Sequence, residues 1–375
     1  MGLTKLGTYI EPFDERNSDG DYGPDSVVGL STQKEIIKTK ANLQGVSLDS
    51  YKLFPPDSFA FVPDTSRRGD KMSLAFNRTE ETYLVSSISV VFKIKDIQKL
   101  DSTYLYIYFN RPEFDRYARF NSWGSAREAF SWEDMCDIDI DLPPIEIQQK
   151  YVDIYNSMLA NQQCYERGLE DLKIVLEGYM DNLKHSEELK AIGDYIELSD
   201  ERNTDLEYRL DDVRGISIEK KLIDTKADMT DVSLRPYYLL KPNYFGYVTV
   251  TSRNGEKISL ALNSTENTFI CSSSYVVFKT KDEDVLCPKY LMLFLNRSEF
   301  DRYSRFNSWG SARETFDWQE MCEVKIPIPD IEVQKSIANI YNVYLERKAI
   351  NEKLKAQIKD ICPILIKSSL EEASR

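Results

Sequence analysis

The chain has 375 residues, 42% hydrophobic and 29% charged, a composition typical of folded proteins and not of disordered ones. This length predicts about two or three globular units. The sequence has no run of about 18 apolar residues and no N-terminal export signal, so we expect no membrane span and a cytoplasmic location. The net charge of −14 argues against nucleic-acid binding, because basic surfaces normally supply most of that affinity. Two alternatives stay open: the acidic residues are segregated from a local basic face, or the chain does not bind DNA by itself.

The content of cysteine and histidine limits which catalytic and metal-binding sites the chain can form. The six cysteines form no CxxC pair, which indicates reduced thiols. His185 is the single histidine, and this excludes His-activated nucleophiles, HNH-type nucleases and nearly all His/Cys zinc sites. We expect His185 itself to be solvated near the end of a helix.

The first 144 residues mix strand and helix patterns. Residues 82–94 are β-branched and aromatic and predict a strand. Residues 104–120 have apolar side chains at helical spacing, with Pro112 placed to break the helix. Residues 138–142 alternate apolar side chains with Asp, as in a half-buried strand. These patterns predict a mixed α/β (α+β) module.

Two long helices are predicted, one after each module. Residues 145–188 and 331–375 have apolar residues spaced by three and four over several turns, which is typical of a coiled-coil seam. Pro363 should kink or end the second helix. We expect helices of this length to separate other parts of the chain. The alternative is that each helix packs only on its own module.

An internal repeat with an offset of 186 residues covers almost the whole chain. Residues 119–128 (RFNSWGSARE) recur without change as residues 305–314, and further matches lie on both sides. A tandem duplication of a complete unit explains this pattern, and two copies are too few for a solenoid. The predicted domains are two modules at residues 1–144 and 189–330, and two spacer helices at 145–188 and 331–375.

The order of module and helix, together with a phrase repeated at each boundary, resembles a known family. The phrase is LPPIEIQ at residues 142–148 and IPDIEVQ at residues 328–334. The N-terminal KLG, YIE and RN, within residues 5–17, are similar to how family members begin. Over its whole length the chain resembles the specificity subunit of type I restriction-modification systems.

The resemblance implies two target recognition domains, each binding one half of a split target in double-stranded DNA. It implies that the antiparallel helices, arranged about a pseudo-two-fold axis, set the spacing between half-sites and dock two methyltransferase subunits. Those subunits bring S-adenosylmethionine and adenine methylation, and a restriction or translocase subunit can join them. The chain itself is expected to be no enzyme and to have no cofactor. Modules so alike should read similar half-sites in inverted orientation.

Arginine clusters supply the candidate DNA contacts, because arginine clamps phosphates or binds guanine and asparagine pairs with adenine. A second basic segment, residues 67–71, is either a hairpin turn or a loop that enters a groove. For the first cluster, the alternative is that Arg116 and Arg119 pair with local acids and that Trp123 and Phe130 are core; we expect Trp123 in the core. The predicted DNA-binding residues are Arg67, Arg68, Lys71, Arg116, Arg119, Asn121, Ser122, Arg127, Arg253, Lys257, Arg302, Arg305, Asn307, Ser308 and Arg313.

Enzyme signatures fail when they are tested against the repeat. Asp64 faintly suggests a metal nuclease, but its counterpart is Val250. Asp137, Asp139 and Asp141 resemble a metal cluster, but their counterparts break it. Methylase and Walker motifs are absent from the sequence. No catalytic or metal-binding residue is predicted, and a fused nuclease or methylase is disfavoured.

A second hypothesis comes from the net charge. An acidic interaction protein, such as a DNA mimic that occupies a partner's DNA channel, would also be strongly negative. The paired arginine clusters do not favour this alternative. Both hypotheses therefore depend on where the repeated cationic side chains lie.

Overall fold

The repeat in the sequence folds into two units in a computed structural model that describes residues 2–66, 71–125, 127–225, 227–251, 257–311 and 313–375. The first unit comprises Met1–Tyr165 and Ile350–Arg375, and the second comprises Glu166–Ala349. Each unit therefore contains one module and a part of each long helix. Within the described ranges, no helix is both long and apolar enough to cross a membrane.

The first repeat is built around a four-stranded antiparallel sheet. Its strands are β1 (Thr4–Lys5), β2 (Ile10–Pro12), β3 (Val28–Leu30), β4 (Ile36–Lys38), β5 (Lys52–Phe54), β6 (Phe59–Phe61), β7 (Leu74–Phe76), β8 (Tyr83–Val85), β9 (Val90–Ile94) and β10 (Asp139–Ile140). Its helices are α1 (Ser102–Phe109), α2 (Pro112–Phe120) and α3 (Trp132–Cys136), and the long helix α4 (Ile145–Ser186) follows. The main sheet has the order β2-β9-β6-β7, and β1–β10, β3–β4 and β5–β8 form smaller antiparallel pairs.

The second repeat has the same elements in the same order. Its strands are β11 (Leu189–Ala191), β12 (Ile196–Leu198), β13 (Arg214–Ile216), β14 (Leu222–Asp224), β15 (Tyr238–Leu240), β16 (Phe245–Val248), β17 (Leu260–Leu262), β18 (Phe269–Cys271), β19 (Tyr275–Thr280) and β20 (Lys325–Pro327). Its helices are α5 (Pro288–Leu295), α6 (Ser298–Phe306), α7 (Trp318–Cys322), the long α8 (Ile331–Asp360) and α9 (Cys362–Ala373). The main sheet order, β12-β19-β16-β17, repeats that of the first module. The prediction of two mixed α/β modules with long helices is confirmed.

The structure corrects one of the predicted elements and confirms the predicted break in another. The expected single strand at residues 82–94 is wrong: it is two strands, β8 and β9, joined by a turn in which the Ser89 amide donates to the Ser86 carbonyl at 2.9 Å. Serine favours such turns over continued strand pairing, and β8 and β9 then pair with different neighbours. The helix break at Pro112 is confirmed, and the second long helix is interrupted between α8 and α9 beside Pro363.

An aromatic cluster between the main sheet and its helices forms the core of the first unit. The Phe59 ring stacks on Phe76 with 4.6 Å between centroids and on Phe92 at 5.1 Å, and it meets Phe109 of α1 edge-on at 5.7 Å. Such pairs add to the free energy gained by burying apolar area. The helix α2 follows α1 directly, so this core also fixes the position of α2.

The long helices run antiparallel in the first unit. Lys150 in α4 bonds Glu372 in α9 at 2.8 Å, and further along α4 the Gln162 amide donates to the Asn351 side chain in α8 at 3.0 Å. Gln162 and Asn351 are both buried. Because an unmatched buried amide is costly, this pair favours one register between the two helices.

The repeated glutamine of the boundary phrase joins each module to its long helix. The side chain of Gln148 is fully buried. Its Nε2 donates to the Lys99 carbonyl at 2.9 Å and to the Pro143 carbonyl at 2.8 Å, and its Oε1 accepts from the Asp101 amide at 3.0 Å. Gln334 makes the equivalent three hydrogen bonds in the second unit. One side chain therefore satisfies backbone groups at the start of α1 and at the start of α4.

Replacing this glutamine should destabilise the first unit. We expect Gln148→Met to lower the free energy of unfolding by about 2–4 kcal/mol, since it leaves one backbone donor and two acceptors, in buried or partly buried positions, without this partner. The neighbouring exposed Gln149, which bonds only Asp153 at 3.0 Å, provides the matched control. Urea denaturation followed by circular dichroism measures both, and equal stability of Gln148→Met and Gln149→Met would contradict the anchoring role.

Candidate nucleic-acid interface

Helix α2 and its copy α6 position the repeated arginines. Each begins with two acids in its first turn and ends with an arginine, Arg119 or Arg305, in its last, an order that suits the helix dipole. At the end of α2 the Asn121 amide donates to the Tyr117 carbonyl at 3.0 Å and the Ser122 hydroxyl to the Ala118 carbonyl at 2.6 Å. The side chains of Asn121 and Ser122 thus cap the helix.

The same caps close α6 in the second repeat. Asn307 donates to the Tyr303 carbonyl at 3.0 Å and Ser308 to the Ser304 carbonyl at 2.6 Å. These bonds use donors that base reading would require. The structure therefore gives Asn307 and Ser308, like their copies, a part in shaping the loop that follows the helix.

The loop after α2 is closed by paired backbone hydrogen bonds. The amides of Trp123 and Ala129 each donate to the other residue's carbonyl at 3.0 Å. Gly124 has φ +143°, and a Cβ there would lie 2.1 Å from the Arg127 carbonyl oxygen. Gly310 has φ +139° in the second repeat. Only glycine fits this backbone, so the loop has a defined shape in both modules.

The tryptophan of this loop lies at the surface, so the expectation that it belongs to the core is wrong. Trp123 is 67% exposed and Trp309 is 64% exposed. Phe130 and its counterpart Phe316 fill the core position instead and are fully buried. The physical reason is the closed loop, which carries the chain out at Trp123 and returns it to the core only at Phe130.

The arginines of α2 and α6 pair mostly with local acids. Arg116 bonds Glu113 at 3.1 Å, Arg119 bonds Glu128, and Arg305 bonds Glu314. The alternative of local pairing is therefore confirmed for Arg116 and Arg119. Exposed pairs of this kind contribute only about 0–1 kcal/mol, so a phosphate can displace the acid.

Three arginines differ from these. Arg127 and Arg313 in the closed loops and Arg302 in α6 are exposed, and within the described ranges none has an ion pair. Glu299, which could pair with Arg302, instead bonds Arg297 at 2.9 Å. These guanidinium groups are available to an external anion without the loss of an internal contact.

Of the second basic segment, the structure describes Lys71 and the residues that precede position 67. Thr65 donates its amide to the Glu128 carbonyl at 2.9 Å and thereby joins the β6–β7 connection to this loop. Arg67, Arg68 and Arg253 fall outside the described residues. Lys71 is exposed and lines a cleft of about 870 Å³ that is also bounded by Arg116, Arg119 and Phe120. The structure thus brings Lys71 together with two arginines of the first cluster.

The second module differs from the first at the matching lysine. Lys257 bonds Glu219 at 2.9 Å, and this hydrogen bond raises the pKa of the lysine ammonium. The first module has Gln33 at the position of Glu219, and Gln33 accepts a hydrogen bond from Lys359 at 2.7 Å. Within the described residues Lys71 has no acidic partner. The two modules therefore offer different free cations.

A buried ion pair under this surface was missed by the sequence analysis. The Lys34 ammonium bonds the Asp115 carboxylate of α2 at 2.5 Å and the Met72 carbonyl at 3.0 Å, and Asp115 also accepts from the Met72 amide at 3.0 Å. Burial lowers the pKa of Lys34, while Asp115 opposes the shift. The pair fixes α2 against the chain segment that leads into β7.

Lys220 and Asp301 repeat this pair at 2.7 Å in the second module. Both lysines have a positive φ, +66° at Lys34 and +56° at Lys220, in the tight turn between two short strands. The signal that could have found the pair was its recurrence at the offset of 186 residues.

The structure also places the other residues that the sequence analysis considered. Within them, no group of three His, Cys, Asp or Glu side chains could hold a metal ion. Asp139 pairs with Lys5 at 3.0 Å on an exposed strand face. His185 is exposed near the end of α4, as predicted. All six cysteines are free thiols.

Adding one methyl group at Gly124 tests the closed loop. We expect Gly124→Ala to lower the free energy of unfolding by about 2–4 kcal/mol, because both the positive φ and the contact with the Arg127 carbonyl become strained. Gly178→Ala in α4, where a Cβ meets nothing within 4 Å, is the control and should be neutral or stabilising. Thermal unfolding measures both, and a neutral Gly124→Ala would show that the loop does not depend on glycine.

Comparisons with known proteins agree with these features. Residues 207–360 match a family model described as the type I restriction modification DNA specificity domain. The sequence has no significant match among curated protein sequences. The structure is similar to the S subunit of a type I restriction-modification system from M. genitalium, with a TM-score of 0.59 and 10% identity, over 98% of this chain and 95% of that chain. At that identity the similarity is one of fold.

Two further solved structures align with this chain at lower scores. One is the HsdS subunit from Thermoanaerobacter tengcongensis, with a TM-score of 0.39 and 13% identity over 99% of this chain and 96% of that chain. The other is from a study of complex assembly in a type I R-M system, with a TM-score of 0.45 and 12% identity over 100% and 97%. Residues 207–360 thus match the specificity domain of type I restriction-modification systems, and the whole chain has a fold similar to that of an S subunit of such a system.

Proposed function

We propose that this chain is a DNA specificity subunit and that each of its repeats reads one half of a bipartite DNA target. The observation that carries the proposal is the segment at residues 119–128 and 305–314, identical in sequence and alike in structure, that exposes an arginine and a tryptophan in both modules. Duplex DNA with two half-sites is a ligand that offers equivalent surfaces to two such modules. The two long helices, which link the modules, set the distance between the half-sites.

The proposal assigns the chemistry to other subunits. Methyltransferase subunits, two in number, dock on the long helices and bring S-adenosylmethionine, and a restriction or translocase subunit can join the assembly. The chain itself reads sequence and catalyses no reaction. Exposed apolar side chains on the second-unit part of α4, Ile174 at 61% and Tyr179 at 51%, support a docking surface there.

The negative charge of the chain fits this division of labour. A net charge of −14 opposes strong binding of DNA by the chain alone. Methyltransferase subunits that surround the duplex can supply the missing positive charge, while local cations of each module set the register. The alternative of a DNA mimic is not favoured, because the family match is to a DNA specificity domain.

The methylation pattern of cells that express the chain with its methyltransferase tests the proposal. We expect adenine methylation at one split sequence, with two half-sites that are similar in inverted orientation because the modules are so alike. A chain in which one module is exchanged should change only one half of that sequence. Methylation without any bipartite sequence would contradict the proposal, and two unrelated half-sites would contradict the expected symmetry.

The unequal lysines predict unequal contributions from the two modules. A lysine that contacts one phosphate adds about 0.9 to the slope of log affinity against log salt. We expect Lys71→Met to reduce this slope by about that amount and Lys257→Met to reduce it less, because Glu219 already neutralises Lys257.

Removing Glu219 provides the control for this comparison. In a Glu219→Gln background, Lys257→Met should reduce the slope of log affinity against log salt as much as Lys71→Met does in the unchanged chain. Fluorescence anisotropy of the methyltransferase complex with a target duplex, measured at several salt concentrations, gives the slopes. Equal slopes for both lysine variants in the unchanged chain would show that Glu219 has no such effect.

A further inference from the structure

Two pairs of aromatic side chains are exposed on the candidate interface. Phe120 is 77% exposed and Phe306 is 79% exposed, each at the last position of its helix, and Trp123 and Trp309 follow three residues later. Exposing a large ring to water forgoes the free energy of its burial. Four such rings at equivalent positions in two repeats indicate a surface that a ligand covers.

The repeat sets these rings apart from some of the other exposed apolar side chains. Leu3 with Leu189 and Val46 with Val232 are also exposed in both copies, but they have no flat ring. Ile88 and Ile97 in the first module are also exposed, at 65% and 59%, but their counterparts are Ser274 and Glu283. The second copy therefore has polar side chains at these two positions. An apolar contact with a ligand cannot be made there by both modules. Phe120 and Trp123 keep both identity and exposure.

The surroundings of Phe120 are cationic. Its side chain lines the cleft of about 870 Å³ together with Lys71, Arg116 and Arg119. In the loop that follows α2, the exposed Arg127 has no ion pair within the described residues. A ligand that covers the ring therefore also meets guanidinium and ammonium groups, which favours a partner with anionic groups beside flat apolar faces. Nucleic acid combines both, with phosphates beside the faces of its bases.

We propose that Phe120 with Trp123, and Phe306 with Trp309, pack against base faces of an unstacked step in each DNA half-site. This inference rests on the proposed function and adds to it the class of contact and the residues that make it. A rigid loop is needed to hold a ring against an opened step. The glycine-dependent loop closed between Trp123 and Ala129 provides that rigidity.

The contact has a consequence for the DNA. Apolar side chains inserted at a base step partly unstack it and kink the duplex, and the sequences that yield most easily are pyrimidine–purine steps. Each module would then select its half-site partly by how readily one step opens. This selection acts in addition to hydrogen bonds from the arginines.

The test uses the complete methyltransferase complex and the duplex that it methylates. 2-Aminopurine is placed in turn at each adenine of both half-sites, and its fluorescence reports loss of stacking. We expect the complex to raise the fluorescence at one position of each half. Phe120→Ala should abolish the rise in one half only, and Phe306→Ala in the other. Each should weaken binding roughly tenfold to a hundredfold, the range for loss of one stacked base.

Controls distinguish stacking from other roles. Phe120→Tyr keeps a flat ring and should retain the fluorescence change, and Ile88→Ala, which removes an exposed apolar group of the same module, should have no effect. Unchanged affinity and fluorescence in Phe120→Ala, with normal methylation by the parent complex, would overturn the stacking proposal and leave the proposed function intact. Weaker association of Phe120→Ala with the methyltransferase in the absence of DNA would overturn it in favour of a protein contact. If the parent complex methylates no bipartite duplex, the proposed function fails and the inference fails with it.

Discussion

The architecture depends on one buried amide in each unit. Gln148 and Gln334 satisfy backbone groups of the module and of the long helix at the same time, and both side chains are fully buried. A hydrogen bond in such a place contributes little to net stability, but its loss leaves several polar groups unsatisfied. The module is therefore fixed on the start of its helix. A recognition surface has a defined position relative to the helix only because this junction is fixed.

A second buried contact extends the same principle to the surface. Lys34 with Asp115, and Lys220 with Asp301, hold α2 and α6 against neighbouring turns. A buried charge without its partner is costly, so each pair restricts the helix to one position. The glycine-dependent loops that follow α2 and α6 present exposed aromatic and cationic side chains. Because these buried pairs hold α2 and α6 in place, the exposed side chains at the ends of the two helices have defined positions.

The sequence predicted the elements well where the pattern is periodic and the repeat could be used as a check. Helix α4 was expected at 145–188 and lies at Ile145–Ser186. The break at Pro112 follows from the geometry of proline alone. The exposure of Trp123 could not be predicted, because it depends on a loop closed by hydrogen bonds to Ala129 and on the φ of Gly124. The buried partner of Lys34 lies 81 positions away in the chain, beyond the reach of any local pattern.

If each repeat reads a different half of one target, the closed loops of the two modules lie against different halves. A photoreactive side chain replaces Arg127 in one sample and Arg313 in another, and each half of the target duplex has its own label. Photocrosslinking should then join the group at position 127 to one half and the group at position 313 to the other. Crosslinks from both positions to the same half, or efficient crosslinks to duplexes without the target sequence, would contradict the proposal that each repeat reads a different half.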